Sequence, residues 1–254
     1  MNNIQLYLGD CLNILPTISS ESIDLILCDL PYGETGNSWD CKIPLDRLSK
    51  EYERILKLDG CIALNCSFRF GVELVNAMPH LFKYDIIWKK DNITNIPNVN
   101  LQPARIHEII LIFGKGRVTF GKRIPMKYFP QKTVGEPYKQ KSGRISENWK
   151  GGLNNIITDN KGERHPQTIQ YWCRDKNKVH PTQKPLLMAE WIIKSYTEEN
   201  DLVLDNCMGS GTTGVACKLL NRRFIGIELS EDYLKIAQER IKNTIPEKRE
   251  REDR

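Results

Sequence analysis

The sequence predicts an α/β fold, in which helices pack on an open sheet. Apolar runs of strand length alternate with segments of helical periodicity over the first third of the chain, and the alternation returns after residue 185. Two strand-like runs, at residues 23–28 and 201–204, are each followed directly by an aspartate and a turn. Because open α/β sheets bind ligands at the carboxyl ends of their strands, these two strand ends are the predicted functional site.

The individual elements follow from apolar periodicity, caps and turn residues. Strands are predicted at residues 4–8, 23–28, 61–65, 84–88, 108–113, 201–204 and 223–227. Helices are predicted at residues 11–18, 71–78, 186–196 and 212–220, from Leu45 to a stop at Asp59-Gly60, and from the N-cap Ser230 to Ile241. Periodicity is lost between residues 115 and 178.

Composition narrows the classes of protein to which the chain can belong. Its 254 residues, of which 40% are hydrophobic, suffice for one large domain or for one domain with an insertion. No apolar stretch approaches the roughly 20 residues of a membrane span, and the first residues lack the features of a signal peptide. The eight cysteines include no C-x-x-C pair. We therefore expect no disulfide framework and no metal site, and a reducing cytoplasm is the expected location.

Residues 115–178 differ from the rest of the chain in charge as well as in periodicity. The stretch from 114 to 178 holds fifteen Lys and Arg against five Asp and Glu, a net charge of +10, whereas the whole chain carries +5. Aromatic residues are interleaved with the basic ones, which is typical of a nucleic-acid-binding surface; the alternative is a solvated basic loop. The predicted divisions are residues 1–114, an insertion at 115–178, a second half of the α/β domain at 179–245, and a charged tail at 246–254.

The first of the two strand ends carries the tetrapeptide Asp29-Leu30-Pro31-Tyr32. A carboxylate and a free backbone carbonyl beside an aromatic ring form a socket for a flat ring that bears an exocyclic amino group. In this interpretation Asp29 and the Pro31 carbonyl accept the amino hydrogens, and Tyr32 stacks on the ring. The alternative is structural, with Asp29 as a strand-end cap and Tyr32 as a core aromatic.

The second strand end opens a helix through a glycine-rich loop. Residues 209–214 spell G-x-G-x-x-G, which lets a backbone approach a ligand closely, and Glu228 ends the next strand, where it can bind ribose hydroxyls. The pattern predicts a nucleoside-like cofactor. A nicotinamide dinucleotide is the rival ligand, although the turn is longer than the compact dinucleotide version. The residues predicted to bind the cofactor here are Asp205, Cys207, Gly209, Ser210, Gly211, Thr212, Thr213 and Glu228.

Two further segments are assigned to the same cofactor. Asp10 and Cys11 follow the first strand, and Asp10 is predicted to accept a hydrogen bond from an adenine amino group; its structural alternative is an N-cap for the following helix. The segment His180-Pro181-Thr182-Gln183-Lys184-Pro185 precedes the glycine-rich unit by one helix. His180 is predicted to be a structural loop residue. The donors suited to a cofactor carboxylate are Thr182, Gln183 and Lys184.

Taken together, these motifs resemble the amino-group DNA methyltransferases, which methylate adenine N6 or cytosine N4 with S-adenosylmethionine. Residues 29–32 are similar to the catalytic tetrapeptide of that family, usually (Asp/Asn/Ser)-Pro-Pro-(Tyr/Phe/Trp), and the segments starting at His180 and Leu204 are similar to its cofactor segments. The order of the motifs is that of the beta group, whose sheet is a circular permutation of the common fold. Leu30 replaces a proline and Cys207 a phenylalanine, but neither change removes a group that the chemistry needs.

The resemblance implies a circularly permuted Rossmann-like methyltransferase fold with a basic target-recognition insertion. It also implies methylation at N6 of an adenine flipped out of double-stranded DNA, with Asp29, Pro31 and Tyr32 as the catalytic residues, because an aspartate at the head of the tetrapeptide leans toward adenine. The alternatives are methylation at cytosine N4, a catalytically silent DNA-binding subunit, and an RNA substrate. A homodimer and a cognate restriction enzyme are further partners that the resemblance implies.

Overall fold

The structure is a computed structural model that describes residues 4–34, 40–141, 157–176 and 183–246. These residues form two compact units. The first takes in the chain up to Phe129 and again from Thr168, and the second spans Pro130–Gln167. His180, Thr182 and nearly all of the predicted charged tail lie outside the described residues.

The elements alternate along the first unit as the sequence predicts. The strands are β1 (Ile4–Leu8), β2 (Ile23–Cys28), β3 (Leu56–Cys66), β4 (Phe82–Thr94), β5 (Arg105–Gly114), β6 (Thr133–Val134), β7 (Tyr138–Lys141), β8 (Ile157–Asn160), β9 (Glu163–Arg164), β10 (Ile169–Tyr171), β11 (Leu202–Asp205) and β12 (Arg223–Glu228). The helices are α1 (Cys11–Ile14), α2 (Leu45–Ile55), α3 (Phe68–Ala77), α4 (Leu186–Tyr196), α5 (Thr212–Leu219) and α6 (Glu231–Asn243). Within the described ranges, no helix has the length and apolarity to cross a bilayer.

One sheet of eight strands organises the first unit, in the order β1-β12-β11-β2-β3-β5-β4-β10. Neighbouring strands are parallel except at β5, which runs antiparallel to both β3 and β4. The α/β prediction is therefore confirmed. The glycine-rich loop follows β11. Although β11 comes late in the chain, it lies in the middle of the sheet, because it pairs with β12 on one side and with β2 on the other.

Helices cover both faces of the sheet and bury its alternating side chains. All six residues of β2 are buried. Ile26 and Cys28 point into a core formed with α1, α2 and α3, whereas Leu25 and Leu27 point into a second core formed with α4, α5 and α6. A strand buried on both faces is apolar at nearly every position, and the one charged residue of β2, Asp24, is buried in ion pairs with Lys57 and Lys127.

Two predicted helices end earlier than the sequence pattern suggests. The helix expected to run from Leu45 to Asp59-Gly60 ends at Ile55, and β3 begins at the next residue. Leu56 is buried and pairs with Ile23 of β2, so the apolar spacing that extended the helical pattern also fits the start of a strand. The helix predicted over residues 11–18 is only α1, followed by a 3-10 turn at Leu15–Thr17 that contains a proline.

The predicted insertion contains the second unit but extends beyond it. Within that unit, β6 pairs with β9 and β7 with β8 in short antiparallel ladders. The Arg164 guanidinium lies 4.8 Å from the Tyr138 ring centroid and donates a 2.6 Å hydrogen bond to Asn160 Oδ1. By contrast, β10 extends the main sheet beside β4, so the end of the predicted insertion folds with the first unit.

Candidate active site

Both predicted sites open into one cavity of about 770 Å³. A pocket of this size suits a nucleoside-sized ligand together with a second small group. Gly211 is absent from the described residues that line it, because its α-carbon faces Ala237 of α6. The predicted site residues that do line the cavity are Asp10, Cys11, Asp29, Pro31, Tyr32, Gln183, Lys184, Asp205, Cys207, Gly209, Ser210, Thr212, Thr213 and Glu228.

The register of four adjacent parallel strands brings their carboxylates to one edge. Gly9 donates to the Glu228 carbonyl at 2.9 Å, which ties the end of β1 to the end of β12. Next in the sheet is β11, which ends at Asp205, and then β2, which is followed by Asp29. The two motifs lie far apart in sequence but become neighbours, since β11 pairs directly with β2. This is the crevice in which open α/β sheets bind ligands.

Both oxygens of the Asp29 carboxylate have hydrogen-bond donors. Tyr32 Oη donates to Oδ1 at 2.6 Å, and Lys184 Nζ donates to Oδ2 at 2.6 Å. The Tyr32 ring packs against Phe70, with the ring centroids 5.3 Å apart. Burial, together with the nearby Asp29 charge, raises the pKa of Tyr32 well above its usual value, so the phenol remains a hydrogen-bond donor at neutral pH.

The turn after the tetrapeptide is held by a buried carboxylate that sequence reasoning missed. Asp40 Oδ1 accepts a 2.8 Å hydrogen bond from the amide of Gly33, and Oδ2 accepts one of 3.0 Å from the amide of Glu34. Gly33 has a φ of +67°, a conformation that glycine adopts without strain. Leu30, which stands where the resembled tetrapeptide has a proline, is 2% exposed and packs in the core.

A chain of alternating charges extends from Asp29 across the cavity floor. Lys184 lies 3.4 Å from Glu108 Oε2, and Glu108 also forms an ion pair with Lys90. Burial opposes ionisation of both Lys184 and Glu108. Even so, the Asp29 and Glu108 carboxylates raise the pKa of Lys184, and Lys184 and Lys90 lower the pKa of Glu108. Lys184 and Glu108 are therefore both charged at neutral pH.

Glu228 fixes the glycine-rich loop. Its Oε2 accepts a 2.8 Å hydrogen bond from the Gly209 amide, and its Oε1 accepts a 2.9 Å bond from the Ser230 amide. Each carboxylate oxygen has two lone pairs, so Glu228 keeps capacity for ligand hydroxyls. A Cβ added at Gly209 would meet nothing within 4 Å, which means that this part of the backbone is open to the cavity.

Asp205 lies at the base of the same loop. Its Oδ2 accepts a 2.7 Å hydrogen bond from the Thr213 hydroxyl, and its Oδ1 accepts one of 3.2 Å from the Cys207 amide. Burial raises the pKa of Asp205 to about 7 in spite of these bonds. A buried carboxyl with such a pKa is typical of a functional site.

Comparison with known proteins identifies the family. Residues 23–239 match the family profile N6_N4_Mtase, described as DNA methylase. The chain belongs to this family of DNA methylases. It is 30% identical to the Type II methyltransferase M.HinfI of Haemophilus influenzae, over 94% of this chain and 68% of that protein.

Solved structures agree with this family assignment. The crystal structure of the M1.HpyAVI–SAM complex is 26% identical in sequence and superposes with a TM-score of 0.60, over 93% of this chain and 99% of that one. The PvuII cytosine-N4-specific DNA methyltransferase superposes with a TM-score of 0.66 over 94% and 88% of the two chains. Its identity is only 17%, so that likeness shows the fold alone. The predicted circularly permuted Rossmann-like methyltransferase fold is confirmed.

S-adenosylmethionine is the cofactor of this methylase, and the residues of the cavity fit it. The open backbone at Gly209 leaves room for a close ligand, and the Glu228 carboxylate suits ribose hydroxyls. Asp10 Oδ1 caps α1 by accepting from the Leu12 amide at 2.9 Å, which is the structural alternative to its predicted cofactor role. Asp10 also lines the cavity, so both roles are compatible with its position.

Some predicted cofactor residues have protein partners in the methylase. Gln183 Nε2 donates to Asp175 Oδ2 at 2.9 Å, and Lys184 contacts carboxylates of the chain itself. Hydrogen bonding with Cys11, aided by burial, raises the pKa of Cys207. The thiol that replaces the usual phenylalanine is therefore held within a cluster of cysteines that line the cavity.

Three cavity-lining or loop-bracing residues gave no signal in the sequence. Glu108 directly precedes the apolar run of β5, and Arg240 is one of many charged residues on α6. Arg240 donates to the Ser210 carbonyl at 2.5 Å and to Ser210 Oγ at 2.8 Å. Asn65 is 2% exposed, and its Oδ1 has no hydrogen-bond partner within the part of the chain that the structure describes. A buried acceptor left unpaired is costly unless a ligand supplies a donor.

Proposed function

We propose that this methylase transfers a methyl group to the N6 amino group of an adenine flipped out of double-stranded DNA. The observation that carries the proposal is Asp29, a carboxylate at the floor of the cavity, beside an aromatic ring and adjacent to the cofactor loop. A carboxylate can accept amino hydrogens but cannot donate to a carbonyl, so it selects bases that present an amino group. The aspartate at the head of the tetrapeptide favours adenine over cytosine.

The residues at this corner act by orienting the target nitrogen and increasing its electron density. An exocyclic amino nitrogen is a poor nucleophile because its lone pair is conjugated into the ring. Hydrogen bonds from the amino group to Asp29 and to the Pro31 carbonyl favour a pyramidal nitrogen with a localised lone pair. Most of the rate enhancement then comes from positioning and electrostatics. S-adenosylmethionine, when bound, supplies the electrophilic methyl group.

The same residues account for the released proton. One N–H proton of the methylated amino group passes to Asp29, directly or through a water molecule. Tyr32 would stack on the extruded base, an interaction worth about 1–3 kcal/mol that offsets part of the cost of unstacking. The unpaired Asn65 Oδ1 is a further acceptor for an amino group that enters this cavity. The reaction needs no covalent intermediate between enzyme and substrate, so none of the cysteines has to act as a nucleophile.

The proposed function also assigns a role to the basic insertion and implies partners for the protein. Residues 115–178 are assigned to target recognition, since their net positive charge suits phosphates and their aromatic residues suit bases. The likeness to Type II methyltransferases supports a cognate restriction enzyme as a partner, and a homodimer is proposed from the family resemblance alone. All eight cysteines are free thiols, which supports a reducing cytoplasm as the location.

The test is methyl transfer from labelled S-adenosylmethionine to unmethylated genomic DNA, followed by digestion and identification of the nucleosides. Wild type is compared with Asp29→Ala and with Asp46→Ala, an exposed aspartate on α2 outside the cavity. We expect N6-methyladenine from wild type and Asp46→Ala, and a loss of at least about 100-fold in Asp29→Ala. N4-methylcytosine would overturn the base assignment, and label in RNA alone would overturn the choice of nucleic acid. No transfer to any of them would favour a silent DNA-binding subunit.

A further inference from the structure

Lys184 is the only group besides Tyr32 that the described residues place in hydrogen-bond contact with the Asp29 carboxylate. It reaches Asp29 from the segment just before α4, 155 residues away in sequence. Its side chain is 15% exposed, so the 2.6 Å contact is shielded from bulk water. In such surroundings a charge pair is much stronger than on the surface.

We propose that Lys184 is a positioning residue for methyl transfer: it supplies the counter-charge of the Asp29 carboxylate and fixes its orientation, with Glu108 as the anchor of Lys184. This inference rests on the proposed function, because it gives Lys184 a role in the capture and activation of the target amino group. The sequence alone had assigned Lys184 to the cofactor carboxylate. The contacts point instead to the catalytic carboxylate.

Glu108 restricts the position of the Lys184 ammonium group. An ammonium group buried beside one carboxylate could adopt several positions around it, but Glu108 Oε2 lies 3.4 Å from Lys184 Nζ on another strand. The ammonium group of Lys184 therefore lies between two carboxylates, that of Glu108 on β5 and that of Asp29 at the end of β2. Lys90 pairs with Glu108 in turn, so the cluster has two positive and two negative charges and leaves no charge without a counter-charge.

The arrangement leaves one side of Asp29 for the base. Lys184 donates to Oδ2, whereas the donor to Oδ1 is the neutral Tyr32 phenol. Glu108 shares Lys184 with Asp29, and the other titratable groups that bear on Asp29 are Tyr32 and the buried Cys28, Cys66 and Asp205. Among the residues that the structure describes, only Lys184 brings a positive charge into contact with the Asp29 carboxylate. Removal of Lys184 should therefore favour protonation of Asp29, and a protonated carboxyl is a poorer acceptor of amino hydrogens.

The experiment compares Lys184→Met, Lys184→Arg and Glu108→Gln with wild type. Lys194→Met is the control, because Lys194 is a more exposed lysine on α4 that is absent from the described cavity lining. For each protein, kcat and KM for DNA and for the cofactor are measured as a function of pH, and affinity for S-adenosylhomocysteine is measured by calorimetry. The pH dependence of the ¹³C-labelled Asp29 carboxyl signal is recorded by NMR, with Asp29→Asn used to assign the signal.

We expect kcat to fall about 100-fold in Lys184→Met, with the acid limb of its pH profile moved to higher pH. Cofactor affinity should stay within about twofold of wild type, since Lys184 acts on Asp29. Lys184→Arg should keep the wild-type pH profile. Glu108→Gln should lower kcat by less than Lys184→Met does, and its acid limb should not move to higher pH, because removal of a nearby negative charge does not favour protonation of Asp29. If Lys184→Met does not fold, these two variants decide the question.

Two results would refute the role proposed for Lys184. Near-normal kcat with cofactor affinity lowered tenfold or more would overturn the proposal and return Lys184 to the cofactor carboxylate. If wild type itself transferred no methyl group, the proposed function would fail, but the NMR signal of Asp29 would still test Lys184. An Asp29 signal with the same pH dependence in wild type and Lys184→Met would refute the inference whatever the activity.

Discussion

The hydroxyl of Tyr32 donates a 2.6 Å hydrogen bond to Oδ1 of Asp29, the oxygen that a target amino group needs. Lys184 already holds Oδ2. Entry of a base must therefore displace one of the two donors. The Tyr32 phenol is neutral, whereas displacement of Lys184 would separate an ion pair that is largely shielded from water. The phenol is the donor that should give way, and the freed ring is then available to stack on the base.

Replacement of Tyr32 by phenylalanine should make capture of the target base easier. The variant keeps the ring for stacking but leaves Oδ1 of Asp29 free. A hydrogen bond to a charged carboxylate contributes about 1.5–3 kcal/mol, so the fraction of DNA with the base extruded should rise at least about tenfold. The measurement is fluorescence of 2-aminopurine placed at the target position, which increases when the base leaves the stack.

Tyr32→Leu is the comparison for this experiment. It lacks both the hydroxyl and the ring, so base capture should be about 1–3 kcal/mol weaker than in Tyr32→Phe through the loss of stacking. Equal impairment in Tyr32→Phe and Tyr32→Leu would mean that the hydroxyl itself assists base binding, contrary to the displacement described above.

Asp205 should make the stability of the cofactor-free protein depend on pH. Burial raises its pKa from 3.8 to about 7. Between those values the unfolded state has released the proton and the folded state retains it, so the contribution of Asp205 to stability falls as the pH rises through this window. Above the window the loss reaches at most about 4 kcal/mol. Asp205→Asn has no such proton, and its free energy of unfolding relative to wild type should increase from acid to neutral pH.

Urea unfolding of the two proteins at a series of pH values checks this expectation. The difference between wild type and Asp205→Asn isolates the one carboxyl, because all other titrating groups are common to both. A difference that stays constant with pH would show that Asp205 is ionised normally in the folded state.

The sequence was sufficient for the parts of the fold that are encoded locally. The limits of β2 and α4 agree with the predicted ones, because a continuous apolar run and a helical apolar period identify their own elements. The boundary between α2 and β3 was not predictable in this way. Leu56 fits either pattern, and only its pairing with Ile23 decides for a strand.

The same distinction applies to the site. Asp29 and Gly209 belong to short motifs whose residue types follow directly from their chemistry, so the sequence predicted them. Glu108, Asn65 and Arg240 reach the cavity or its loop only because distant strands and helices meet there, and none carries a local pattern. The partner of Lys184 could not be predicted either, since Asp29 lies 155 residues away.

Arg240 should support cofactor binding without touching DNA recognition. It braces the glycine-rich loop through the Ser210 carbonyl and hydroxyl. In Arg240→Met the loop loses these charge-assisted bonds, each worth about 1.5–3 kcal/mol when intact, and we expect cofactor affinity to fall about tenfold while KM for DNA is unchanged. Calorimetry with S-adenosylhomocysteine measures the effect. Lys235→Met is the control on the same helix, because Lys235 is exposed and pairs only with Glu231 in the described structure. A similar loss in both variants would indicate a general effect on α6.

Substitution by alanine should mainly affect stability at Gly211 and mainly affect cofactor binding at Gly209, although both glycines belong to one loop. Gly211 has a φ of +78°, and a Cβ there would lie 2.8 Å from the Ala237 Cβ, so Gly211→Ala should destabilise the fold by about 2–4 kcal/mol through backbone strain and overpacking. Gly209 has a φ of +50° but faces open space, so Gly209→Ala should cost only about 1 kcal/mol of stability. If the cofactor packs against Gly209, the added methyl group should nevertheless lower cofactor affinity about tenfold or more.

Urea unfolding measures the effect of each substitution on stability, and calorimetry measures its effect on cofactor affinity. Wild-type affinity in Gly209→Ala would exclude close approach of the cofactor to this backbone.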